Sequence, residues 1–358
     1  MGINRIVGYI AAGIVIGPFT PGVFVRTETI ENLAELGLVF LLFSLGLSFS
    51  FDEMRRAGAV SIAGNVAAMG LLAVGFAGAA VLAGFPHPWI LALAAVLSST
   101  AIGAALLRDW GVEDTAGGHL ALGILVVQDL FAVILLVVVA TPANELSFVG
   151  LAIPVVKAIV FVAVALTLGG TLLRRVVVVT LAKAPQEAVF GAFATIALFA
   201  GFLAYVVGLP FEFGAFMAGA VISEAAGSAK VATAVMPFRA LFVSLFFVGV
   251  GMLIDPALIL RHWPVIIGLG AAFVLFRGVV WSALGKAAGV PWPSLLLFGV
   301  ALVPLGEFNM VLASTAVLAS GINDYERSVL VGITFFSILA TTLGAPLFNR
   351  AAAAARSR

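Results

Sequence analysis

The stretch Gly123-Ile-Leu-Val-Val-Gln-Asp-Leu-Phe-Ala-Val-Ile-Leu-Leu-Val-Val138 decides how the rest of the chain is interpreted. It is an apolar run of membrane-spanning character, yet Gln128 and Asp129 stand side by side near its middle. A carboxylate in hydrocarbon is costly, so it is kept where it faces a partner, a cavity or an ion path. We therefore interpret Asp129 as a functional residue. The alternative is a structural Asp satisfied by hydroxyl groups or by a basic partner.

The composition places the whole chain in a membrane. Of the 358 residues 63% are hydrophobic and only 10% are charged, and the mean hydropathy is +1.23. Soluble domains carry about 25% charged residues, so we predict an all-α polytopic membrane protein in a lipid bilayer. Scattered basic residues and a net charge of +1 give no sign of a nucleic-acid partner. The chain has no Cys and none of the metalloprotease, nucleophile-elbow or P-loop motifs, so we expect neither an enzyme nor a bound cofactor.

Splitting the apolar runs at charged, Pro and Gly clusters predicts about twelve transmembrane helices. The predicted spans are 3–17, 30–50, 57–84, 88–108, 117–140, 148–173, 187–207, 211–225, 236–254, 263–286, 292–319 and 326–350. This division places thirteen Lys and Arg on the side of the N-terminus and four on the other side, with Arg277 inside a helix. The positive-inside rule then predicts that both termini are cytoplasmic.

An internal repeat divides the chain. Ala12–Gly17 resembles Ala218–Ser223, and Phe43–Leu47 resembles Val248–Met252, at an offset of about 205 residues. The predicted topology runs the two copies in opposite directions, as in secondary transporters with a site at the repeat interface. We therefore predict a single transmembrane domain over 1–358, with inverted repeats over about 1–140 and 187–350 and a linker helix over about 148–173.

Two predicted helices carry a polar interruption at matching places. Leu97-Ser-Ser-Thr-Ala-Ile102 interrupts one, and Val303-Pro-Leu-Gly-Glu-Phe-Asn309 interrupts the other. Pro304 removes a backbone donor and Gly306 loosens the chain, so we expect helix 292–319 to unwind locally. Unwound backbone within a membrane is tolerated only where protein or water surrounds it, which indicates a transport site.

The candidate site residues follow from these interruptions. A carboxylic acid in a low-dielectric site can hold either a proton or a monovalent cation, which makes Asp129 the leading ion-binding residue. Ser98, Ser99 and Thr100 offer hydroxyl and carbonyl oxygens to a hard cation; small-residue packing is the alternative. Gln128 is equally well interpreted as a ligand or as an interhelical hydrogen-bond residue.

Two further charged residues lie within predicted helices and need partners. Glu307 falls in the second interruption and Arg277 in helix 263–286. They could form a structural ion pair with each other, or Arg277 could pair with Asp129 until a cation displaces it. Because arginine keeps its charge, it could compete with a cation but not deliver a proton.

Several motifs together resemble the membrane domain of the monovalent cation:proton antiporter superfamily, specifically its Kef-type potassium efflux branch. They include Gly8–Pro18, Leu97–Ile102, Gln128-Asp129, Gly214–Gly219 and Gly306-Glu-Phe308, in the family's order along nearly the whole chain. The resemblance implies a homodimer in a bacterial-type inner membrane, with a mobile core that contains two crossed, discontinuous helices. It also implies that Asp129 binds the ion and the proton, that the Gln-Asp pair marks the potassium branch, and that Arg277 tunes the charge where relatives carry Lys.

From this resemblance we expect electroneutral exchange of a monovalent cation, potassium first, for one proton by alternating access. A sodium/proton exchanger of the same fold is the alternative. A proton-uncoupled channel and a non-transporting membrane sensor are hypotheses of other classes. The family normally has one more helix before the first span predicted here, and it commonly has a Glu at the position of Ser48. We also expect no cytoplasmic Rossmann domain, so regulation by glutathione is not carried over.

Overall fold

The computed structural model describes residues 5–22, 27–48, 51–141, 148–169, 185–224, 228–252, 254–320 and 323–356. All regular structure in these ranges is helical, which confirms the all-α part of the predicted fold class. The α-helices are α1 (Arg5–Ile16), α2 (Thr27–Ser48), α3 (Phe51–Leu82), α4 (Pro88–Ala95), α5 (Thr100–Asp109), α6 (Ala116–Val139), α7 (Phe148–Val164), α8 (Gln186–Val206), α9 (Phe211–Ser223), α10 (Ser228–Met252), α11 (Pro256–Arg261), α12 (Trp263–Ala287), α13 (Ser294–Ala301), α14 (Glu307–Ser320), α15 (Asp324–Gly344) and α16 (Asn349–Arg356).

Five of the described helical segments are long and apolar enough to cross a membrane: Ile62–Leu82, Ala116–Val139, Ala188–Val206, Trp263–Ala287 and Tyr325–Ala353. Four shorter apolar helices accompany them, and large apolar side chains are exposed on several helix faces, which suits contact with lipid. The chain is therefore a membrane protein. The count of twelve spans and the orientation of the termini stay predictions.

The chain divides into two compact units. The first comprises Met1–Phe51 and Leu136–Asp255. In it α2 packs against α9 and α10, α1 packs against α10, and α8 packs against α9. Aromatic rings fill the space between these helices: Phe40 stacks on Phe242 and Phe190 stacks on Phe238, with centroids 4.3 and 3.8 Å apart. This unit is a helical bundle with an apolar core.

Reciprocal glycines allow two helix pairs of the first unit to approach at backbone distance. A Cβ on Gly13 of α1 would overlap the Val248 carbonyl oxygen, and one on Gly251 of α10 would overlap the Ile10 carbonyl oxygen. In the same way, Gly46 of α2 lies against the Phe216 carbonyl of α9, and Gly219 of α9 lies against the Phe43 carbonyl of α2. Small residues at such crossings are typical of membrane helix packing.

The second unit comprises Asp52–Leu135 and Pro256–Arg358. Here α12 packs against α13 and α15, α14 packs against α4, and α13 packs against α5. The ring of Phe76 lies near both Phe273 and Phe276, at centroid distances of 4.3 and 5.7 Å. All the described candidate site residues belong to this unit.

Both predicted interruptions are present in the second unit. The predicted span 88–108 is divided into α4 and α5, and the predicted span 292–319 is divided into α13 and α14. The sequence did not predict two other features near the C-terminal half. Pro256 starts the short helix α11, because proline is favoured in the first turn of a helix. Pro346 lies in a 3₁₀ turn, Ala345–Phe348, that separates α15 from α16 within the predicted span 326–350.

Substitution of Gly219 tests the close helix contact. We expect Gly219→Ala to lower the free energy of unfolding by about 1–3 kcal/mol, because its Cβ must displace backbone of α2. The matched control is Gly191→Ala in α8 of the same unit, where a Cβ would meet nothing within 4 Å. That variant should be neutral or slightly more stable, since alanine favours a helix interior. Equal thermal unfolding midpoints of the two variants in detergent would contradict the described packing.

Candidate functional site at two helix breaks

The first break ends α4 at Ala95 and begins α5 at Thr100. Ser99 caps the new helix: its Oγ accepts a hydrogen bond from the Ile102 N–H at 3.3 Å, and its carbonyl accepts one from the Gly103 N–H at 2.9 Å. Serine is a favoured N-cap residue, which explains why the chain restarts as a helix here. The predicted polar interruption is therefore also the start signal of α5.

The second break, 302–306, separates α13 from α14 and is bonded to the first. The Ser99 N–H donates to the Pro304 carbonyl at 2.7 Å, and the Ser98 hydroxyl donates to the Leu302 carbonyl at 2.7 Å. A Cβ on Gly306 would stand only 2.6 Å from the Ser99 Cβ, so only glycine permits this approach. Each break thus satisfies polar backbone groups that the other leaves unpaired.

Arg277 of α12 binds both breaks from one side. Its side chain is 0% exposed. The guanidinium donates from Nε to the Val303 carbonyl at 2.9 Å and from Nη2 to the Leu302 carbonyl at 2.8 Å. Nη1 donates to the Ala95 carbonyl, and Nη2 also donates to the Ser98 Oγ at 2.6 Å. One guanidinium therefore donates hydrogen bonds to four oxygens on two separate chain segments.

The position of these carbonyls explains the need for a cation. Ala95 ends α4, and Leu302 follows the last residue of α13. Helix C-termini concentrate unpaired carbonyls and negative partial charge, so a buried positive charge is favoured there. The hydrogen bonds of Arg277 to the described part of the chain go to carbonyl and hydroxyl oxygens, and the predicted pairing with Asp129 is not among them. The side chain of Glu307, the first residue of α14, lies outside the described residues.

Asp129 of α6 contacts the other end of the first break, where α5 begins. Its carboxylate is partly buried, and its Oδ1 accepts a hydrogen bond from the Thr100 Oγ1 at 2.8 Å. Because Thr100 opens α5, the carboxylate stands beside a helix N-terminus, where positive partial charge favours an anion. A carboxylate offers oxygen lone pairs to a proton or to a hard cation. This arrangement is suited to binding either one.

Gln128 is committed to structural hydrogen bonds at both ends of its carboxamide. Its Oε1 accepts from the Ser98 N–H at 2.6 Å, and its Nε2 donates to the Asn65 Oδ1 at 3.1 Å. The side chain is 1% exposed. These contacts are those of an interhelical hydrogen-bond residue, and the ligand role of Gln128 stays a prediction.

The structure thus brings together six of the seven candidate residues, namely Ser98, Ser99, Thr100, Gln128, Asp129 and Arg277. Whether they bind an ion stays a prediction. Sequence reasoning missed two members of the same network. Asn65 is fully buried in the apolar helix α3, a signal equivalent to the one that singled out Asp129. Ser337 accepts from the Leu305 N–H at 3.1 Å and has no distinguishing sequence signal.

Comparison with known proteins identifies what the chain is similar to. Residues 1–350 match the family described as "Sodium/hydrogen exchanger, transmembrane". K(+) efflux antiporter 1, chloroplastic, of Arabidopsis thaliana is 31% identical over 331 residues, which cover 88% of this chain and 27% of that protein. The putative cation/proton antiporter YbaL of Escherichia coli (strain K12) is 31% identical over 355 residues, which cover 94% of this chain and 62% of that protein. The chain therefore spans less than two thirds of these relatives.

A solved structure shares the fold. The sodium proton antiporter MjNhaP1 of Methanocaldococcus jannaschii, determined at pH 8, superposes with a TM-score of 0.71 and 13% sequence identity. The superposition covers 98% of this chain and 92% of that one. At this identity the likeness concerns the fold alone.

Asn309 of α14 offers a test of burial beside the second break. Both of its amide atoms are buried without a partner in the described part of the chain, and the side chain lines a small cavity with Leu305 and Thr334. We expect Asn309→Leu to raise the free energy of unfolding by about 1–2 kcal/mol, because an unsatisfied buried amide is removed. The control is Asn323→Leu, which removes the N-cap of α15 and should be destabilising by about 1 kcal/mol. A lower thermal midpoint for Asn309→Leu would show that the amide has a bonding role.

Proposed function

This chain belongs to the sodium/hydrogen exchanger transmembrane family, and we propose from that premise that it exchanges a monovalent cation for protons across a membrane. The observation that carries the proposal is the Asp129 carboxylate, which is hydrogen-bonded to Thr100 at the N-terminus of α5. An acid in this position can hold a cation or a proton in turn, and that competition couples the two fluxes.

We propose an exchange of one cation for one proton. Gln128 carries no charge, and both ends of its amide are engaged, with Ser98 and Asn65. Asp129 is then the titratable acid of the pair, so binding a monovalent cation in place of a proton leaves the charge of the site unchanged. Thr100 and backbone oxygens released at the breaks would complete the ligand set. Transport would be electroneutral.

Alternating access would use the inverted repeat. The sequence repeat aligns Gly13 with Gly219 and Gly46 with Gly251. In the first copy of the contact, Gly13 of α1 lies against α10 at Gly251. The repeat equivalents of these two glycines, Gly219 of α9 and Gly46 of α2, make the same kind of contact with each other's helices. This correspondence is what two structurally equivalent repeats would produce, and it supports the proposed architecture. In it, the half-helices would cross at the breaks and the second unit would move during transport.

Potassium is the proposed cation. Relatives with 31% identity include one named for potassium efflux, whereas the solved structure of similar fold is a sodium proton antiporter. Sodium is therefore the alternative within the same mechanism. Selectivity between the two depends on the size and number of ligands around Asp129. We further propose a homodimer in a bacterial-type inner membrane, with both termini in the cytoplasm.

Exchange by reconstituted protein tests the proposal. Proteoliposomes that contain an entrapped pH indicator should alkalinise or acidify when a potassium gradient is applied, and sodium should serve less well. We expect Asp129→Asn to abolish the response, because the site loses its titratable acid. The matched control is Asp114→Asn, since Asp114 is exposed in the turn before α6. This variant should exchange at the rate of the wild type.

The outcomes separate the competing functions. Unchanged exchange by Asp129→Asn would overturn the assignment of that residue. Potassium flux without an accompanying proton flux would favour a channel. Folded protein that carries neither ion would favour a membrane sensor.

A further inference from the structure

Asn65 lies behind the candidate site and is assigned no role by the proposed exchange. It is 0% exposed in the middle of α3, a helix whose segment Ile62–Leu82 has the hydropathy of a membrane span. Its Oδ1 accepts a hydrogen bond from the Gln128 Nε2 at 3.1 Å. A carboxamide buried at this depth is retained where it meets a specific polar partner.

The contact determines which way the Gln128 amide points. A glutamine amide can rotate by half a turn, which exchanges its acceptor oxygen for a donor nitrogen. Toward Ser98 only the oxygen is acceptable, because the Ser98 N–H is itself a donor and lies 2.6 Å from the Gln128 Oε1. The Asn65 oxygen accepts the nitrogen end and so selects this orientation.

The bond leads directly to the ion site. Ser98 donates its backbone N–H to the Gln128 Oε1. Its hydroxyl accepts a hydrogen bond from the Arg277 Nη2 at 2.6 Å and donates one to the Leu302 carbonyl at 2.7 Å. Asn65 therefore stands at the end of a hydrogen-bond chain through both breaks.

Stability alone does not account for Asn65. Its Nδ2 is buried without a partner in the described part of the chain, and an unsatisfied buried donor is destabilising. Rotating the Asn65 amide would place this donor against the Gln128 Nε2, which is also a donor. The described orientation thus preserves the acceptor for Gln128 while leaving one donor unsatisfied.

We propose that Asn65 is a positioning residue for cation exchange, which acts through Gln128 to hold the Ser98 break in its binding-competent arrangement. The inference rests on the proposed exchange function for its transport readout. The ligand concerned is the transported monovalent cation, and Asn65 itself does not contact it.

Three variants test this inference. Asn65→Leu removes the acceptor at similar volume, Asn65→Asp retains an acceptor oxygen, and Gln128→Leu removes the group through which Asn65 acts. In potassium-driven proton exchange we expect Asn65→Leu to raise the apparent KM for potassium about tenfold, as loss of an outer-shell partner does at metal sites, with a smaller effect on the maximal rate. Asn65→Asp should restore the KM. Asn309→Leu, another change of a buried asparagine, should leave it unchanged.

A second readout is independent of transport. Amide hydrogen exchange, followed by mass spectrometry on peptides that cover 96–103, should be faster in Asn65→Leu than in wild type and near wild type in Asn65→Asp. In the Gln128→Leu background, adding Asn65→Leu should change neither KM nor hydrogen exchange further, because the two residues act as one unit.

The results distinguish the inference from the proposed function. Wild-type protein that does not exchange ions would overturn the proposed function, while the hydrogen-exchange comparison would still test Asn65. Additive effects of the two substitutions, or a lowered thermal midpoint with unchanged KM and unchanged exchange over 96–103, would overturn the positioning role.

Discussion

The site depends on one interaction, the binding of the Arg277 guanidinium to the C-terminal ends of α4 and α13. Ala95, Leu302 and Val303 supply backbone carbonyls that a continuous helix would have paired internally. Buried carbonyls without donors are destabilising in hydrocarbon. A buried cation without acceptors is equally unfavourable, so each stabilises the other. The breaks are tolerated because Arg277 is present, and Arg277 is tolerated because the breaks are present.

The two ends of the first break therefore contact side chains of opposite charge. Arg277 lies at the C-terminal end of α4, whereas Asp129 contacts Thr100 at the N-terminal start of α5. Both charges complement the helix dipole that they face. In the described hydrogen bonds Arg277 binds carbonyl and hydroxyl oxygens, whereas the Asp129 carboxylate accepts from Thr100. Arg277, which stabilises the breaks, and Asp129, the proposed ion-binding acid, are therefore different residues with different partners.

The sequence predicted much of this, for identifiable reasons. Low charge content indicated the membrane class, and Pro304 with Gly306 located the second break. The position of Asp129 within an apolar run made it the candidate acid, and its contact with the first break was found; its ion-binding role stays a prediction. The partners of Arg277 could not be predicted, because backbone carbonyls carry no residue-type signal and an ion pair was the obvious expectation. For Gln128, residue type alone could not separate a ligand from a hydrogen-bond bridge; the bridge is defined by distances to Ser98 and Asn65.

Thermal unfolding of Arg277→Lys, with and without potassium, tests most directly whether this residue holds the breaks together. Lysine keeps the charge but lacks the planar fork that reaches several acceptors at once. The account predicts a free energy of unfolding lower by about 2 kcal/mol or more, because carbonyls at the breaks lose their donors, and an equal loss in the two conditions. An unchanged midpoint without potassium, together with an altered potassium dependence, would contradict it and show that Arg277 competes with the cation instead.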